Sequence, residues 1–272
     1  MAPSLPLILL PPSEGKASGG EGQPWSPGTM VLDLDDGRAE VLDALVRAMR
    51  GSEAARGKLL GVKSSALAAA TEADRHARSA PTMPAIERYT GVLYDALDHR
   101  SLGATRRRRL DASVLIFSGL WGAVAPADPI PDYKLKMGAS LLRLGKLSAW
   151  WRNDLSAAIA ERAAGRTVWN LLPQEHAAAW EAPGGLAQYS ARFLERRADG
   201  SLAAVSHRNK FLKGALVRFL LANPGAGPDD LSGWELPVGY RFDAARTEDD
   251  RGATVLTFVG AAVTAGRSSI AG

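Results

Sequence analysis

Leu5-Pro6-Leu7-Ile8-Leu9-Leu10, halted by Pro11-Pro12 and followed by Ser13-Glu14-Gly15-Lys16, sets how the rest of this 272-residue chain is read. An unbroken apolar run closed by two prolines reads as a buried strand, with Pro6 tolerable only near its start. The exit of such a strand is where ligands commonly bind in open α/β sheets. Gly15 beside Ser13 and Lys16 can offer backbone N–H groups and an ammonium to an anion. The Gly-x4-Gly-Lys-Ser/Thr spacing of a Walker loop is absent, and the plain alternative is a tight surface turn with a solvated lysine.

Outward from this strand, apolar runs predict further strands at Ala112–Phe117, Arg166–Leu172, Ala187–Arg192, Ser201–Ser206, Tyr240–Asp243 and Thr254–Val259. Helical spacing predicts helices over 39–50, 58–78 with a break at Gly61, 84–97, 140–164 and 209–222. Interleaved strands and helices give an α/β class (mixed α+β). We expect one domain over 1–260, with a helical insertion at roughly 35–80 and a flexible tail over 261–272.

The chain has no cysteine, which excludes disulfides, zinc–thiolate sites, iron–sulfur clusters and thiol-based peroxide sensing. Its four histidines are scattered, without HExxH spacing, so no metal and no cofactor is expected. The opening apolar run is too short for a signal peptide, and no stretch reaches the roughly 20 apolar residues of a membrane span. A cytoplasmic protein without membrane contact is the expectation. The net charge of +4 permits attraction to nucleic acid or anionic metabolites without establishing it.

Four segments can carry chemistry. Ser13 and Lys16 form the first. The second is Phe117-Ser118-Gly119-Leu120-Trp121-Gly122 with Pro126 to Lys134, in which Ser118, Gly119, Tyr133 and Lys134 sit in a stiff irregular loop or simply pack. Asn170 to His176 supplies Asn170 as an orienting amide and Glu175 as an acid–base group, while His176 reads as a surface helix residue. In Ser206 to Arg218 a strand delivers Ser206 to a helix start. Lys210, Lys213, Gly214 and Arg218 then share a stripe that can hold an anion or remain a solvated basic face. Arg106–Arg109 is set aside as a helix end before a strand.

Taken in order, Pro12–Lys16, Tyr89-Thr90-Gly91, Ser118–Gly122 with Pro126 and Asp128, Asp132–Gly138, Asn170-Leu171, Lys210…Lys213-Gly214…Arg218 and Gly239-Tyr240-x-Phe242 resemble the YaaA family of peroxide-stress proteins. The resemblance spans residues 5 to 260. It implies a single YaaA-type domain with a central mixed sheet, a positively charged cleft and a helix–hairpin–helix-like insertion. It also implies nonspecific binding of double-stranded DNA and a role limiting iron-driven oxidative damage. The matching hairpin is Leu59–Ala77, with Lys58, Gly61 and Lys63 set to grip phosphates and Arg75 adding attraction. Glu14-Gly15, Trp121 and Lys136 depart from the usual family residues. The alternative is an enzyme acting on an anionic small molecule, a nucleotide or carboxylate. Lys16, Tyr133, Glu175 and Lys210 are its catalytic candidates, and Lys213, Arg218 and Asn170 hold the ligand.

Overall fold

The chain was studied as a computed structural model, which describes residues 4–205, 207–250 and 252–260. Ser206 and the 261–272 segment lie outside the described residues. Leu7–Leu10 (β1) is a strand with all four side chains fully buried, each contributing about 2 kcal/mol of burial. Three helices follow: Asp35–Ala48 (α1), Glu53–Leu60 (α2) and Ser64–His76 (α3). Val92–Leu97 (α4) and Ala104–Ser113 (α5) then lead into Val114–Ser118 (β2), which turns back through Gly122–Val124 (β3). Arg152–Ala163 (α6) precedes Val168–Asn170 (β4), Gln188–Arg196 (β5) and Leu202–Ala204 (β6). The last long helix is His207–Ala222 (α7), ahead of Glu235–Leu236 (β7), Tyr240–Phe242 (β8), Glu248–Asp250 (β9) and Ala253–Gly260 (β10).

These strands form one mixed sheet in the order β7-β8-β10-β5-β4-β1-β2-β3, with β6 added to β5 and β9 to β10. Its centre, β10-β5-β4-β1-β2, is parallel throughout, and the flanking pairs are antiparallel. The carboxyl ends of β1, β2 and β4 therefore meet at one edge, which is where Lys16, Ser118 and Asn170 emerge. Trp121, Trp151 and Trp169 are buried in the surrounding core. Arg38 is also fully buried, and the carbonyls of Leu32, Trp121 and Ala123 and the carboxylate of Asp35 satisfy its guanidinium. Among the described residues no helix is long and apolar enough to cross a membrane.

The structure corrects the sequence reading in three places. The helix expected over 84–97 is cut after Arg88 into two pieces, because Gly91 takes φ +101° and starts α4 anew. The helix expected over 140–164 begins instead with a small hairpin, Ser140–Leu141 against Gly145–Lys146. Positive φ at Arg143 and Gly145 turns the chain there. Arg106–Arg109 lies in the opening turns of α5 rather than at a helix end, so the dipole argument for it fails. Arg109 instead donates to the carbonyls of Leu221 and Ala222, closing the end of α7.

Candidate functional site

The loop leaving β1 is stitched to the Ala85–Gly91 segment by backbone and side chain together. Lys16 bridges Tyr89, Ala17 N–H donates to Arg88 O, and Thr90 N–H donates both to Gly15 O and to Ser13 Oγ. Arg88, fully buried, sends its guanidinium to the carbonyls of Ala17, Gly19 and Ile130. One side chain thus ties the Lys16 loop to the segment that carries Tyr133.

Three hydroxyls meet beneath Lys16. Tyr133 Oη lies 2.7 Å from Tyr89 Oη and 2.7 Å from Ser118 Oγ, and Ser118 Oγ also accepts Trp121 N–H at 3.0 Å. Burial pushes the Tyr89 phenol up to about 12 and Tyr133 well above the usual phenol range, so both keep their protons. The Lys16 ammonium stands over the Tyr133 ring, 4.2 Å from its centroid, and 5.7 Å from that of Tyr89. Burial brings Lys16 down to about 8, against the opposing pull of Asp132. Gly119 is needed beside this cluster because a Cβ there would sit 2.7 Å from the Lys136 carbonyl carbon.

A cavity of about 150 Å³ opens at this point. It is lined by Ser13, Lys16, Tyr133, Lys134, Glu175 and His176, with Glu14 and Lys136 at its wall. Glu14 lies 3.7 Å from each of the Lys134 and Lys136 ammonium groups. Glu175 Oε1 accepts Gly138 N–H at 2.8 Å, which fixes it against the Asp132–Gly138 segment. Helix α3 reaches the same place. Asp74 of α3 is fully buried, and its Oδ1 accepts Lys134 N–H at 2.7 Å. Its Oδ2 is buried with no hydrogen-bond partner, and burial pushes the carboxyl up to about 8.

The other predicted residues go elsewhere. Lys213 donates to Leu171 O at 2.8 Å, fastening α7 to the exit of β4, and burial lowers it to about 8. Arg218 donates to Leu97 O, Asp98 O and Ser101 Oγ, closing the end of α4. Gly214 faces α4 so closely that a Cβ would lie 2.3 Å from Leu93 O, so a helix makes the close approach expected there of a ligand. Lys210 is exposed on α7 and is not part of the Lys16 cavity wall. Asn170 Oδ1 accepts Leu172 N–H, and the residue lines a separate cleft of about 940 Å³ with Arg152, Gln174 and Gln188.

Gly61 ends α2 with φ +62°, and Lys63 precedes α3 with no side-chain cap. Lys58 and Lys63 are exposed, while Arg75 donates to Met49 O and lies 3.6 Å from Glu72. A Cβ on Gly61 would fall 3.3 Å from the Lys136 ammonium, so this turn borders the cavity wall.

Sequence reasoning missed Tyr89 and Asp74 as neighbours of Lys16, and it placed His176 outside. His176 is half-buried, with Nδ1 unpartnered and its pKa lowered by burial. The Tyr89-Thr90-Gly91 motif was the available signal for Tyr89; nothing local pointed to Asp74.

Residues 7–246 match the family described as peroxide stress protein YaaA. A UPF0246 protein of Streptomyces coelicolor is 42% identical over 241 residues, covering 88% of this chain and 92% of its own length. A UPF0246 protein of Corynebacterium glutamicum is 36% identical over 220 residues, covering 79% and 84%. One of Methylibium petroleiphilum is 32% identical over 178 residues, covering 64% and 69%. With the match running from β1 almost to β9, the chain belongs to the YaaA peroxide stress protein family.

Proposed function

We propose that this protein binds double-stranded DNA nonspecifically in the cytoplasm and limits iron- and peroxide-driven damage to it. The observation that carries the reading is the α2–Gly61–α3 hairpin. A left-handed glycine sits between the exposed Lys58 and Lys63, and α3 starts uncapped at Ser64 directly after Lys63. Such a turn grips a phosphate through backbone N–H groups and reads no bases. The net charge of +4 supports attraction to a polyanion. Fluorescence anisotropy with a mixed-sequence duplex tests it. Affinity should fall steeply with salt, and a Lys58→Glu/Lys63→Glu variant should bind far more weakly with a shallower salt slope. Equal binding by the variant, or none by the wild type at low salt, rejects the hairpin as a DNA contact.

A second reading rests on the cavity. Lys16, Lys134, Tyr133 and Glu175 converge from separate segments on a space suited to a small anion, such as a nucleotide or carboxylate. Under this reading the protein is an enzyme, with the cavity lysines holding the negative charge. Thermal shift against nucleotides and carboxylic acids, with Lys16→Ala and Lys210→Ala alongside, separates this cavity from α7. A shift lost only in Lys16→Ala supports the cavity, and no shift with any ligand rejects it.

A further inference from the structure

We propose that Lys16 forms an imine with an aldehyde carried on a phosphate ester, the aldehyde entering the cavity and the phosphate resting toward Lys134, Lys136 and the Gly61 turn. For a DNA source this rests on the duplex-binding reading above. The shared chemistry has two sources: the ring-opened sugar at an abasic site, or a free aldose phosphate.

The first argument is the setting of the amine. Among the described residues no hydrogen bond or ion pair holds Lys16 Nζ, which stands on the ring face of Tyr133 at the cavity wall. Lys213 is the useful contrast. It is equally shielded, yet its Nζ donates to Leu171 O and it is absent from the wall, as suits a structural lysine. A lysine among buried rings, with other cations nearby, is the kind that reacts as a neutral amine. Its lowered pKa agrees with that geometry.

Size is the second argument. The cavity of about 150 Å³ has room for about five waters at roughly 30 Å³ each. A short sugar chain fits in that space. Lys134 and Lys136, beside the Gly61 turn, each lie 3.7 Å from the exposed Glu14 carboxylate, which a phosphate held there would have to displace.

The step balances without any oxidant or reductant. The Nζ lone pair adds to the carbonyl carbon to give a carbinolamine. The C–O bond then breaks, and the oxygen leaves as water with the two protons that began on the amine. A C=N bond remains. Glu175 and His176 share the cavity wall with Lys16 and are the groups proposed to move those protons.

The test is reductive trapping with cyanoborohydride, read by intact mass and peptide mapping. The probes are a duplex with a natural abasic site, the same duplex with a tetrahydrofuran site lacking the aldehyde, and glyceraldehyde 3-phosphate. The expected result is an adduct mapped to Lys16 with the abasic duplex, the aldose phosphate or both, none with tetrahydrofuran, and a yield that rises toward pH 8. The adduct should be lost in Lys16→Arg and kept in Lys210→Ala. No adduct with either aldehyde, an adduct mapped elsewhere in the wild type, or an undiminished adduct in Lys16→Arg overturns the proposal. Mapping in the wild type serves even if the variant misfolds. Anisotropy on the tetrahydrofuran duplex isolates the DNA reading: binding without trapping sinks only the imine, and trapping of the aldose phosphate without duplex binding sinks only the DNA source.

Discussion

Replacing Gly214 by alanine separates two roles for α7. If the Lys210–Arg218 stripe faced a ligand, an added methyl would block the ligand and leave the fold alone or firmer, because alanine favours a helix over glycine by about 1 kcal/mol. The structure requires otherwise. The new Cβ would meet Leu93 O at 2.3 Å, Ala96 Cβ at 2.8 Å and Leu97 N at 2.9 Å. Two of these atoms are α4 backbone and cannot swing aside, so α4 and α7 must part by roughly 1 Å to restore ordinary contact. Overpacking of this kind costs about 1–3 kcal/mol, and rigid obstructing atoms put it at the upper end. Set against the propensity gain, the net loss is about 2 kcal/mol, or about 4–8 °C in Tm for a chain of this size. Tyr94 of α4 donates to Pro11 O at 2.8 Å, so the displacement also reaches the loop that carries Lys16. Thermal and urea unfolding followed by circular dichroism measure the effect. Gly227→Ala, where nothing lies within 4 Å of the new carbon, is the control. A Gly214→Ala variant as stable as the wild type would refute the packing argument.

Three further outcomes are expected. Asp74 keeps its proton in the fold up to about pH 8, whereas the unfolded carboxyl loses it near 4. Folding therefore binds the proton over that window, and wild-type stability falls as pH rises through it, by at most about 1.4 kcal/mol per unit. Urea midpoints for Asp74→Asn should pull ahead of the wild type between pH 5 and 8, and a constant gap would mean the carboxyl is already ionised in the fold. Arg88→Lys strands the carbonyls of Ala17, Gly19 and Ile130 and should cost about 3 kcal/mol, with faster amide exchange over residues 13–20; unchanged exchange there would deny it the role of fastening the loop. Arg109→Ala uncovers the last carbonyls of α7 and should cost about 1 kcal/mol in urea unfolding, whereas the exposed Arg106→Ala should cost nothing measurable.

The parts of this protein legible in the sequence are those whose cause is local. Leu7–Leu10 is a buried strand because four apolar residues stand between prolines, and α2 ends at Gly61 because a left-handed residue is wanted there. The four-residue spacing of Gly214 and Arg218 likewise puts both against α4, whereas Lys213 reaches the exit of β4 and Lys210 is exposed. What spacing lacks is knowledge of what covers a face. Here it is α4, which takes Gly214 into its packing and Arg218 onto its final carbonyls. The surroundings of Lys16 were partly hidden for the opposite reason: Ser118 and Tyr133 stand in one readable segment, but Tyr89, Asp74 and His176 come from three others, and no local pattern joins them.

The ordered motifs still held that information collectively. Ser13 is fastened to Thr90, Lys16 bridges Tyr89 and stands on Tyr133, Tyr133 bonds Ser118, and Gly119 admits the backbone of Leu135 and Lys136. Four of the motifs that carry the family resemblance are thus one packed unit around a single amine. The α7 motif joins that unit only through α4 and the Tyr94–Pro11 hydrogen bond. The basic residues accordingly divide by their contacts. Lys213 and Arg218 are held by carbonyls that position helices, Lys134 and Lys136 share Glu14 at the cavity wall, and Lys16 alone of these is left facing the cavity without a polar partner among the described residues. The proposed imine chemistry therefore begins at Lys16, and the proposed phosphate grip at the Gly61 turn, which borders Lys136 in the same cavity wall.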